Sequence, residues 1–161
     1  AAALNLSSQE KPRFLRMEKN KNLPLRRLLL NRLDWIDQRL YANAERNGYG
    51  DVTPAMGRLF THLVGQPIGL SELSRRLSVS RQAVHQLASE ASRMGYVEFF
   101  DSEADARVKL LRFTPKGRRM SASAENELRK IEEALATQIG AVKLKQLKAV
   151  LSMAWGEDAP H

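Results

Sequence analysis

Three residues, Ser78-Val79-Ser80, separate two stretches of helical apolar spacing, and so short a break leaves few folds open. Before it, Leu73 and Leu77 lie about one turn apart, with Ser71 the expected N-cap. After it, Val84, Leu87, Ala91 and Met94 share one side of a helix that Gly95 closes. Two helices joined this tightly cross steeply, as a helix-turn-helix. The second helix places Gln82, His85, Gln86, Ser89 and Arg93 opposite its apolar stripe. Such a face is either ordinary solvated surface or a surface aimed at something flat and charged.

The flanking sequence builds outward from this pair. Residues 96–100 and 107–113 read as strands joined by a polar loop over 101–106. The second strand changes phase at Leu110-Leu111, which means either a bulge or burial on both faces. Pro24 opens a helix with Leu25, Leu29, Leu33, Ile36 and Leu40 in register, and Leu28, Leu30 and Trp35 widen its stripe. Thr53-Pro54 starts a second, with Met56, Leu59, Phe60 and Leu63 inward, ended by Gly65 and Pro67. Thr114-Pro115 caps a long helix carrying Met120, Ala124, Leu128, Ile131, Leu135 and Ile139, stopped by Gly140. A last helix places Leu144, Leu147, Leu151 and Ala154 on one side. The outer helices carry more apolar surface than a small central lobe covers, so a second copy of the chain is expected to take the surplus. The expected class is therefore mainly α with a small β-hairpin (α+β).

Composition narrows the partners. The 161 residues hold 26 Lys and Arg against 18 Asp and Glu, for a net charge of +8 and a pI near 10.1, which favours polyanions. Residues 1–23 add five basic side chains to two acidic ones and form a basic tail, either solvated or an arm onto a phosphate backbone or partner. With no cysteine, disulfides, thiolate metal sites and thiol nucleophiles are excluded. His62, His85 and His161 are too scattered for a metal site, and no phosphate-cradling glycine loop or hydrolase elbow is present. No apolar stretch approaches a membrane span. The expectation is a cytoplasmic, non-enzymatic protein without a cofactor.

A basic chain with a polar helix face points to duplex DNA, because the major groove admits a helix and presents paired donors and acceptors. Glutamine matches adenine there and arginine matches guanine. Ser80, Arg81, Gln82, His85, Gln86 and Ser89 are the candidate groove-facing residues, and Arg75, Arg76, Arg81 and Lys109 the candidate phosphate contacts. At the hairpin tip, Asp101 and Asp105 flank Arg107, and a carboxylate two residues away holds a guanidinium extended. An arginine so held suits the narrow, electronegative minor groove.

In this order, Leu70-Ser-Glu-Leu-Ser-Arg-Arg-Leu-Ser-Val-Ser-Arg-Gln-Ala-Val-His-Gln-Leu87, Gly95-Tyr-Val97, Asp101-Ser-Glu-Ala-Asp-Ala-Arg107 and Leu110-Leu-Arg-Phe-Thr-Pro-Lys-Gly117 resemble the multiple-antibiotic-resistance-regulator (MarR) type of winged helix-turn-helix regulators. The resemblance spans about residues 24–155. It implies a helical dimerisation region at 24–50 and 115–155, a DNA-binding winged lobe at 51–114, and tails at 1–23 and 156–161. It further implies a homodimer on a pseudo-palindromic operator, a repressor in the usual case, with Arg107 as wing-tip arginine and Asp105 as its orienting carboxylate. Ser102 stands where proline is frequent, and Ala106 where a second basic residue is frequent. Many members of this family lose DNA affinity on binding a small, often aromatic, acid, and Trp35, Tyr41, Met56, Phe60 and His62 are the residues here that either line such a pocket or simply fill the core. The alternative function is a winged-helix dimer that acts as a protein-interaction scaffold without DNA readout, motivated by Ala104 and Ala106 at the hairpin tip. An RNA-binding module is disfavoured by the lack of stacking aromatics on an exposed sheet.

Overall fold

The computed structural model describes residues 23–102 and 108–155. Its elements are α1 (Leu25–Arg46), α2 (Pro54–Thr61), β1 (Ile68–Gly69), α3 (Leu70–Leu77), α4 (Arg81–Arg93), β2 (Val97–Asp101), β3 (Lys109–Phe113), α5 (Pro115–Ile139) and α6 (Ala141–Leu151). Two compact units divide the chain, residues 1–35 and 36–161, with the boundary inside α1. Within the first, Leu25, Leu29, Leu30 and Leu33 are exposed and Trp35 is half-buried.

The second unit holds the core. Met56, Leu59 and Phe60 of α2, Leu73 of α3, and Val84, Ala88 and Ala91 of α4 meet Tyr96, Val97, Leu111, Phe113 and Met120 in one buried cluster. Full burial of each large apolar side chain contributes about 1.5–3 kcal/mol, so these few residues hold the lobe together. Local chemistry sets the helix starts. Thr53 Oγ1 accepts from the Met56 amide at 3.3 Å ahead of Pro54, and Thr114 Oγ1 accepts from the Gly117 amide at 3.1 Å ahead of Pro115. Gly117 has a second reason to be glycine, since a Cβ there would lie 1.9 Å from the Tyr96 carbonyl oxygen.

The sheet differs from the expected hairpin by one strand. Its order is β1-β3-β2, with Ile68 opposite Leu111 and Gly69 opposite Leu110. Two residues following Pro67 carry no period, so β1 had no signal in the sequence. It also displaces the start of α3. The chain passes from the strand into the helix with Gly69 as N-cap and no side-chain cap bond, leaving the expected cap Ser71 exposed inside the first turn. The phase change at Leu110-Leu111 resolves as burial rather than a bulge. β2 and β3 pair one for one from Val97 with Phe113 to Asp101 with Lys109, and β3 is the central strand. Leu111 is buried in the core, while Leu110 is half-buried against Gly69 on the other face.

α5 follows its expected boundaries and α6 stops at Leu151, and both bury less than their stripes offer. Gly117, Met120, Glu127 and Ile131 of α5 are buried, whereas Leu128 and Ile139 are exposed. No residue of α6 is buried, Val142, Leu147, Val150 and Leu151 all being exposed, and Ala154 lies beyond the helix end. One polar contact had no counterpart in the sequence reading: buried Asn43 of α1 donates from Nδ2 to Ser123 Oγ of α5 at 3.2 Å.

Candidate nucleic-acid interface

The turn between α3 and α4 is fixed by hydroxyls. Ser78 takes the left-handed conformation (φ 53°) as C-cap of α3, and Ser74 Oγ donates to the Val79 carbonyl at 2.7 Å. Ser80, in extended conformation, accepts from the Ala83 amide at 3.1 Å and so opens α4. No acidic side chain lies in the first turn of α4, which leaves its positive end suited to an anion.

Along α4, Val84, Ala88 and Ala91 are buried and Arg81, Gln82, His85, Gln86 and Arg93 are exposed, as the wheel predicts. Ser89 is half-buried. The His85 ring stacks on Phe99 of β2, with centroids 6.0 Å apart and planes 26° apart, and its Nδ1 is 3.5 Å from Ser89 Oγ. Arg75 and Arg76, exposed on α3, both bond Glu72, at 2.5 and 2.7 Å. Their hydrogen bonds hold the Glu72 carboxyl below the usual carboxylate range.

The hairpin carries two exposed ion-pair rungs. Asp101 pairs with Lys109, and Glu98 accepts from Arg112 at 2.7 Å while the Arg112 guanidinium lies 4.5 Å over the Phe100 ring. Lys109, expected at a phosphate, is thus tied to the opposite strand, in a contact worth about 0–1 kcal/mol. Asp105 and Arg107 lie outside the described residues.

Behind the interface, Tyr96 anchors the turn between α4 and β2. Its hydroxyl donates to Asp51 Oδ1 at 2.5 Å, and the Lys116 ammonium sits 4.1 Å over its ring while donating to the Met94 carbonyl at 2.8 Å. Burial, then the bond to Asp51, pushes the Tyr96 hydroxyl well above the ordinary phenol range. The sequence signalled Tyr96 only as the first residue of a strand, which begins one residue later at Val97, and as part of the matching Gly95-Tyr-Val97 segment.

The five candidate effector residues have different surroundings. Met56 and Phe60 belong to the core cluster, and His62 is the half-buried C-cap of α2. Tyr41 is half-buried with its hydroxyl facing Gly57, and is pushed up by burial and by Asp37 against the opposing effect of Arg58. Trp35 belongs to the first unit. A separate open cavity of about 480 Å³ lies between residues 63–67 and the start of α5, with Arg112, Arg118, Ser121 and Glu125 on its wall. Arg118 donates to the Phe113 carbonyl at 2.9 Å. Among the described residues there is no cluster of metal-ligating side chains, and no helix is long and apolar enough to cross a membrane.

Neither a protein-family model nor a curated protein sequence matches the chain. Solved structures do. Apo MarR from E. coli aligns over 81% of this chain and 96% of its own, with a TM-score of 0.63 at 21% identity. The fold is that of the MarR-type regulators. NadR in complex with 4-hydroxyphenylacetate covers 82% of this chain and 92% of its own at 16% identity, with a TM-score of 0.66. The transcriptional regulator Tm0710 from Thermotoga maritima covers 80% and 94% at 22% identity, with a TM-score of 0.57. In MarR-type terms, α3 and α4 are the helix-turn-helix and β2 and β3 the wing.

Proposed function

We propose that this protein is a homodimeric, sequence-specific duplex-DNA-binding regulator of transcription, acting as a repressor. The observation that carries this reading is the division of α4. Its apolar side is consumed by the chain's own core, while Arg81, Gln82, His85 and Gln86 stand exposed beside a serine-capped helix start, on a MarR-type fold with a net charge of +8. In this reading residues 51–114 bind DNA, with α4 in the major groove. Gln82, His85 and Gln86 then discriminate bases, while Ser80, Arg81 and the α3 arginines Arg75 and Arg76 meet phosphates. Lys109 adds a phosphate contact by exchanging its Asp101 partner for the backbone. Arg107, oriented by Asp105, enters the minor groove. The helices over 24–50 and 115–155 join two copies, and the exposed apolar residues of α6 support that assignment.

NadR's complex with 4-hydroxyphenylacetate supports a small aromatic acid as the releasing ligand. Tyr41 and His62, both half-buried in the second unit, are the candidate residues left to meet it, since Met56 and Phe60 are taken up by the core.

Selection from random duplexes with the purified protein tests the reading. A two-fold symmetric motif is expected, with affinity falling steeply as salt rises. Arg107→Ala is expected to weaken binding to it by about 1–3 kcal/mol, and Gln82→Ala to relax one base position. A chain that enriches no motif acts instead as the protein-interaction scaffold.

A further inference from the structure

Hydroxyl side chains on the helices bond in more than one way, Ser121 for example donating to the Glu125 carboxylate at 3.2 Å. Thr61, Thr137 and Ser152 donate back to the carbonyl four residues earlier, at 2.7–3.1 Å. Ser89 instead meets the side chain four residues earlier, with its Oγ 3.5 Å from His85 Nδ1. The far side of that ring arrangement is closed by Phe99, stacked on the imidazole from β2 and itself packed against the core. An exposed histidine is thereby held by two neighbours, one on the wing strand and one on its own helix.

Which ring nitrogen carries the proton follows from the bond the other makes. A hydroxyl has one hydrogen to give, and among the described residues Ser89 has no carbonyl acceptor bonded to it. Giving that hydrogen to Nδ1 makes Nδ1 the acceptor and leaves the proton of the neutral ring on Nε2. We propose that His85 is a base-reading donor: its Nε2–H recognises a hydrogen-bond acceptor in the major groove, and Ser89 and Phe99 are the positioning residues that fix tautomer and ring plane. The base edges that fit are guanine N7 or O6, adenine N7 and thymine O4. Cytosine, which presents an amino donor there, is refused. Ser89 is thus a support for a contact rather than a contact itself. A ring held before binding loses less side-chain entropy on the duplex than a free one. The wing strand then helps set base preference in the major groove as well as its own contacts.

This inference rests on the DNA-binding reading, and two measurements separate the fates of the two. The first is two-dimensional proton–nitrogen NMR of the imidazole rings in the full-length protein without DNA, with His85→Gln used to assign the signals. His85 is expected as the Nε2–H tautomer in the parent and as a tautomer mixture in Ser89→Ala. A parent ring protonated on Nδ1 overturns the assignment, whatever the protein binds. The second is duplex selection with the parent, Ser89→Ala, Phe99→Leu and Phe99→Tyr. One base position is expected to lose roughly fivefold in preference in Ser89→Ala and Phe99→Leu and to recover in Phe99→Tyr, the remaining positions being unchanged. A parent motif indifferent to His85→Ala overturns the readout while sparing the DNA-binding reading. A parent that selects no motif removes both, even where the tautomer is as expected.

Discussion

Helices α4 and α6 are of similar length, 13 and 11 residues, and are finished in opposite ways. The first begins on a serine cap and hides Val84, Ala88 and Ala91 entirely within its own chain. The second begins on Gly140 without a side-chain cap and buries nothing, although four of its eleven residues are exposed Val or Leu. The difference teaches how to read polarity and exposure together. An exposed polar face on a helix whose apolar side is satisfied is surplus that binding can use, whereas an exposed apolar face marks a helix whose packing is unfinished.

The comparison breaks if the two helices respond alike to substitution. Leu73→Ala, beneath α4 at full burial, is expected to destabilise the chain by about 2–5 kcal/mol in urea unfolding. Tyr96→Phe comes next. It forfeits a bond to a carboxylate, an expected loss of about 1.5–3 kcal/mol at neutral pH. It also changes the alkaline limb. Because the folded hydroxyl titrates above its unfolded value near 10, the unfolded chain releases that proton first, and parent stability falls as pH rises past about 10. Unfolding followed from pH 8 to 11 should show that fall in the parent and less of it in the phenylalanine variant. Ser80→Ala should lower stability by about 1 kcal/mol through loss of the α4 cap. Smallest in stability is the pair Leu147→Glu with Val150→Glu on exposed α6, expected within about 0.5 kcal/mol for the isolated chain. Sedimentation should nevertheless shift from two chains to one. Melting that collapses in that double variant at every protein concentration would show α6 to be covered by its own chain.

Legibility in the sequence followed the kind of signal each element carries. α2, α4 and α5 start where expected because hydroxyl-then-proline pairs and a serine before a polar turn satisfy helix amides directly, whereas α2 ends at Thr61, short of the expected stop at Gly65 and Pro67. β1 escaped because two residues cannot display a period, and its absence from the reading misplaced the cap of α3 at Ser71. The phase change at Leu110-Leu111 was visible but ambiguous, since only the pairing of β3 along both edges, which no local pattern displays, shows a register without a bulge. The exposed polar residues of α4 were legible from the wheel, because exposure on an amphipathic helix follows its angular position. Their supports were not: Phe99 under His85, Asp51 on Tyr96 and Asp101 on Lys109 join elements whose mutual register no local pattern specifies.

Gly117 has a mechanical consequence. With its Cα face pressed on the Tyr96 carbonyl, the root of α5 touches, backbone to backbone, the turn that leads from α4 into β2, with no side chain between them to yield. A joint without slack transmits rotation rather than absorbing it. Any side chain at position 117 would therefore have to force the root of α5 away from the turn that follows α4.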